Sequence, residues 1–148
     1  MLPLLRLNAE RNAAPIAAAG GHASVAPLEW ADDERPAEAS QGSAPSYDVV
    51  LGADLIYNGL SNDGSSAQLR SLSSLLQKLL APPDGSTGAT SPLLLLAHKR
   101  RHAEVDHALV DELREAGVAL EELPHDVLHP EYRSPSIALF AGRMASRR

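Results

Sequence analysis

The stretch at residues 47–58, YDVVLGADLIYN, decides how this chain is read. Val49, Val50 and Leu51 form a short, β-branched and apolar run. Such a run is the pattern of a strand covered on both faces, as in a parallel sheet. The strand, placed at 47–54, passes through Gly52 and Ala53 into an acid, Asp54, and a phenol follows three residues later at Tyr57. Ligands of open α/β sheets sit beyond the carboxyl ends of the strands. Small residues at that end let a ligand approach the backbone. An aspartate there can accept hydrogen bonds from an amine or offset developing positive charge. A tyrosine beside it can hydrogen-bond or offer a π face to a cation. In the competing structural reading, Asp54 caps the next turn and Tyr57 packs.

Outward from this strand the pattern alternates. Residues 67–80 place Leu69, Leu72, Leu75, Leu76, Leu79 and Leu80 on one helical face. LLLLA after Pro92 reads as a second doubly buried strand. Val105, Leu109, Leu113 and Ala116 mark a further amphipathic helix, with Gly117 as its stop. VALEEL and SIALFAG close the chain as two adjacent strands, separated by PHDVLHPEYRSP. Upstream, residues 4–12 read as a helix with Pro3 in its first turn. Residues 13–21 read as a small-residue connection. HASVAPLEW at 22–30 reads as a strand, placed at a sheet edge because Pro27 cannot donate to a ladder. Residues 31–46 and 81–92 are polar and rich in Pro, Ser and Gly, and are expected to be flexible loops. The expectation is one α/β domain over 1–148, with a parallel sheet and an antiparallel strand at one end.

Composition narrows the function. With 148 residues and 44% hydrophobic content the chain can bury a core, and with 3% aromatic content aliphatic residues must fill it. The net charge of −6 disfavours nonspecific nucleic-acid binding, which needs a basic face. There is no cysteine, which removes disulfides, thiolate nucleophiles and cysteine-based zinc sites. No apolar run approaches the ~20 residues of a membrane span. Arg6, Glu10 and Arg11 interrupt any signal-like segment at the N-terminus. A cytoplasmic location is expected, with the nucleus left open.

Several chemistries have no motif here. There is no G-x-S-x-G, no G-x-G-x-x-G and no H-E-x-x-H. His98, His102 and His107 cluster in sequence, and His125 and His129 flank a proline-bounded loop; neither spacing argues for a metal. HKRRH at 98–102 reads as a pairing site for a phosphate or an acidic partner, or as a solvated strand exit. Trp30 reads as a half-buried packing residue or as a stacking surface for a planar ring.

In order along the chain, PLLRLN, V-x-P-LEW, YDVVLGADLIY, LLLLAHKRRH and HPEYRSPSIALF together resemble the class I methyltransferases of the protein-lysine methyltransferase-like group, the family 16 methyltransferases. The likeness covers nearly the whole chain outside its two Pro/Ser-rich loops. It implies a Rossmann-like seven-strand methyltransferase sheet, S-adenosyl-L-methionine as cofactor and a protein lysine as methyl acceptor. It also implies that Trp30 lies against the adenine, that Ala53 contacts the cofactor, and that Asp54 and Tyr57 form the D-x-x-Y motif beside the transferring methyl group. No membrane or nucleic-acid partner is implied. The glycine-rich first strand and loop of that family, and the second strand ending in an acid for the ribose, have no counterpart in this sequence. Strands three to seven are therefore expected and strands one and two are not, as in the C-terminal part of such an enzyme. Two alternatives stand beside this: a non-catalytic remnant serving as a binding or scaffold module, and a small-molecule N-methyltransferase.

Overall fold

The computed structural model of the chain describes residues 1–28, 47–56, 64–82 and 90–145, with the helical backbone alone for 64–66. Two short helices, α1 (Leu2–Arg11) and α2 (Ala13–Ala18), come first. They are followed by β1 (Val49–Ala53), α3 (Gly64–Leu80), β2 (Leu93–Lys99), α4 (Ala103–Glu115), β3 (Val118–Leu123) and β4 (Ile137–Met144). The architecture is α/β, a four-stranded mixed sheet in the order β1-β2-β4-β3, compatible with a Rossmann-like fold.

β1 and β2 are parallel, in register from Val49 opposite Leu93 to Ala53 opposite Ala97. β4 runs antiparallel to both β2 and β3. The antiparallel strand is thus inside the sheet, where an end position was expected. Side-chain pattern explains the placement. β4 buries Ala138 and Phe140 and half-buries Ile137, Leu139 and Ala141, so it suits two neighbours. β3 exposes Ala119, Glu121 and Glu122, which an edge tolerates.

Both long helices pack on the sheet face that carries Leu94, Leu96, Val118, Leu120, Ala138 and Phe140. α3 contributes Leu69, Leu72, Leu75, Leu76 and Leu80 to the buried residues, whereas Leu79 is half-buried, facing residues 24–28. α4 contributes Val105, Leu109 and Leu113. Gly117 ends α4 with φ +86°, a conformation that costs glycine nothing. Ser73 Oγ lies 2.9 Å from Glu112 Oε1, and Gln77 Nε2 donates to the Ala116 carbonyl at 2.7 Å; these contacts pin α3 to α4.

Three further sequence expectations are corrected. Residues 13–18 are helical and not a connection, because the alanine-rich run resumes a helix directly after Asn12. Residues 22–28 form no strand; no ladder hydrogen bond reaches them from the described residues, and Pro27 could not supply one. β1 is not covered on both faces. It is paired on one side among the described residues, and Val49 and Leu51 are 46% and 76% exposed. The helices cover the face of Val50 and Gly52, and the opposite face carries the uncovered side chains. The expected loop 31–46 lies outside the described residues, as do residues 83–89 of the second.

Candidate functional site at the end of β1

The ladder continues one step past β1, where the Asp54 N–H donates to the Ala97 carbonyl at 2.8 Å. Asp54 then adopts φ +48°, the only left-handed non-glycine residue among those described. Aspartate tolerates this region better than most side chains, and a strand that must turn sharply can use it. The turn sends Leu55 and Ile56 back into the core, with Ile56 only 2% exposed.

Gly52 serves this return. A Cβ at Gly52 would lie 2.9 Å from Leu55 Cδ1 and 3.0 Å from Leu96 Cδ1. The space left by the missing side chain is therefore filled by two leucines, and the expected approach of a ligand to Gly52 has no room on that face. Ala53 is exposed on the opposite face, opposite Ala97 in the ladder. Trp30 and Tyr57 lie outside the described residues.

Asp54 meets Arg101, a partner that sequence reasoning had not named. Arg101 Nη1 donates to Asp54 Oδ1 at 2.6 Å, and Nη2 to Oδ2 at 2.5 Å. This two-pronged geometry is the strongest that arginine and a carboxylate make. The Arg101 hydrogen bonds hold the Asp54 carboxyl below its ordinary value against the opposing effect of burial, with the Arg101 charge, the Lys99 backbone N–H and His98 adding to the shift. Arg101 is in turn held more firmly protonated by Asp54. The signal was present in HKRRH. Its acidic partner is in the same chain, 47 residues away in sequence. The neighbouring members of that run are also paired: Arg100 with Glu122, and His98 Nε2 with Asp106 Oδ1 at 2.7 Å.

His98 is a second polar feature behind this site. It is 3% exposed and fixes the first turn of α4 to the end of β2 through Asp106. The pair borders a cavity of about 280 Å³, with Arg100, His107, Arg114 and Glu122 on its walls. Among the described residues no group of three or more His, Cys, Asp or Glu is placed to hold a metal ion, and no helix is long and apolar enough to cross a membrane. Beyond the opposite edge of the sheet from β3, a groove of about 540 Å³ runs between residues 24–28 and β1, with Val25, Leu28, Val49 and Leu51 among its apolar walls. No family model matches this chain, and no curated protein matches it either.

Proposed function

We propose that this chain carries the amine end of an S-adenosylmethionine-dependent N-methyltransferase whose acceptor is a protein lysine. The observation that supports this most directly is Asp54: an anionic carboxylate, set on a left-handed turn, at the carboxyl end of a parallel strand in an open α/β sheet. The sheet would be part of a seven-strand Rossmann-like sheet, its four strands corresponding to the last four of that order. Support for a larger sheet comes from the second edge of β1, which has no strand partner among the described residues, and from Val49 and Leu51, which lie exposed on that strand.

S-adenosylmethionine supplies an electrophilic methyl group on a sulfonium. The residues present fit one end of such a cofactor and not the other. Ala53 is small and exposed at the strand end, and the resemblance would set Trp30, which lies outside the described residues, against the adenine. The methionine end needs backbone N–H groups from a glycine-rich loop, and no G-x-G occurs. Asp54 would orient the acceptor amine and offset the positive charge that grows on its nitrogen, and Tyr57 would shape the amine pocket. Most of the rate enhancement would then come from positioning and fixed electrostatics.

The test has two arms. Titration calorimetry of the chain with S-adenosylmethionine should show binding weaker than micromolar, as the missing loop requires. A methyl-transfer assay on lysine-bearing proteins, run with a form of the chain joined to a glycine-rich first strand and loop, should show activity that falls ~10²–10³-fold in Asp54→Asn with cofactor affinity nearly unchanged. Trp30→Ala should do the reverse and weaken the cofactor first. If Asp54→Asn loses cofactor affinity and keeps its rate, the amine assignment is wrong. Absence of transfer even in the form that carries the glycine-rich loop favours the second reading, a non-catalytic binding module. That reading has its own support in the open groove beside β1.

A further inference from the structure

Both oxygens of the carboxylate assigned to the substrate amine accept hydrogen bonds from Arg101. An acid neutralised in this way offers little field to a second cation, so an incoming amine and Arg101 compete for the same group. The side chains of Asp54 and Arg101 are 40% and 33% exposed, so water and ligand reach the pair. The backbone on either side of Arg101 is anchored. The Arg100 N–H donates to the Ser136 carbonyl at 2.8 Å, and the His102 carbonyl accepts from Val105 and Asp106 at 3.0 and 3.1 Å. Any release of Asp54 must therefore come from rotation of the Arg101 side chain and not from movement of its loop. Arg101 Nη1 also lies 3.4 Å from the Lys99 carbonyl, a contact that does not depend on Asp54.

We infer that Arg101 is a built-in competitor for the Asp54 site: in the free chain its guanidinium takes the place of the acceptor ammonium, and a primary amine binds only as Arg101 swings away. This rests on the reading of Asp54 as the amine residue. It adds a regulatory contact and a consequence for affinity. The fraction of molecules with Arg101 released sets the apparent affinity, so removing the competitor should tighten amine binding in proportion.

The experiment needs neither cofactor nor turnover. The chain is prepared with ¹³C-labelled aspartate, and the Asp54 carboxyl resonance is followed while n-butylammonium is added at constant ionic strength, with n-butanol as the uncharged control. Arg101→Met is expected to bind the ammonium about tenfold more tightly than the unaltered chain. Arg101→Lys, which keeps the charge and loses the two-pronged geometry, should fall between them. In Asp54→Asn the ¹⁵N resonances of the Arg101 guanidinium should stand near those of a free arginine and no longer respond to the ammonium. In the unaltered chain, the ¹⁵N resonances of the Arg101 guanidinium should shift toward those of a free arginine as the ammonium binds, a reading that needs no variant to fold. Ammonium binding at Asp54 that is unchanged or weaker in Arg101→Met, or that leaves the Arg101 resonances in place, overturns the competitor and leaves the amine site standing. Absence of any Asp54-dependent binding in every variant overturns both.

Discussion

Asp54 shows how one residue can be read correctly as an acid at a strand end and incompletely as a chemical group. Its position followed from the apolar run before it, but its charge state follows from Arg101. The Arg101 hydrogen bonds lower its proton affinity, so the stabilisation from the pair is complete above the unfolded carboxyl value of about 4 and is lost as pH falls through the lower folded value. Chemical denaturation of the chain and of Asp54→Asn from pH 6 to pH 2.5 should show a small gap in stability that closes at the acid end. It should be small because the pair is partly exposed and screened by water. A gap that widens toward acid would contradict the pairing. His98 presents the opposite case, a buried polar group with one carboxylate partner. His98→Leu should cost about 1–3 kcal/mol, since Asp106 loses its hydrogen-bond partner, and a melting experiment at neutral pH reads it directly.

Among elements, β4 depends most closely on its glycine. A Cβ at Gly142 would meet Leu120 Cδ1 and Val118 Cγ1 at 3.0 Å and the Ala119 backbone oxygen at 3.1 Å. Two of these contacts are side chains that can shift, and the third is backbone in the paired strand. Gly142→Ala should therefore destabilise the chain by about 1–3 kcal/mol, measured as a lower denaturant midpoint with an unchanged slope. Helix α3 is less sensitive to any one polar contact, because five of its leucines are buried and each contributes about 1.5–3 kcal/mol. α1 contrasts with it. None of its residues is buried, and Leu4, Leu5 and Leu7 are 60%, 44% and 40% exposed, so its apolar side chains add little to the core.

At the scale of the molecule, the sheet is covered unevenly. α3 and α4 bury one face, while Val49 and Leu51 lie open on the other at the edge of β1. β1 carries neither lysine nor proline to discourage pairing with another chain. The chain should therefore bind an apolar dye and self-associate as its concentration rises. Leu51→Lys should reduce both while leaving the melting temperature nearly unchanged, as the side chain it replaces is 76% exposed. Sedimentation velocity and dye fluorescence on the two proteins test this; equal behaviour would place the sticky surface elsewhere.

The elements were legible from the sequence because each rests on local regularity. The leucine spacing of α3, the apolar runs of β1, β2 and β4, and the glycine that stops α4 are short-range patterns that backbone geometry reads directly. Asp54 was legible too, since a strand that ends in an acid is visible in a few residues. What the tertiary structure decided depends on contacts between distant residues. It put β4 between β2 and β3, because pairing order reflects which strand has two apolar faces to bury. It also left β1 paired on one side only among the described residues and gave the space at Gly52 to Leu55 and Leu96. Above all it brought Arg101 to Asp54, because the parallel register of β1 and β2 sets their carboxyl ends side by side. No spacing rule within one strand carries that information; it exists only once the two strands are paired.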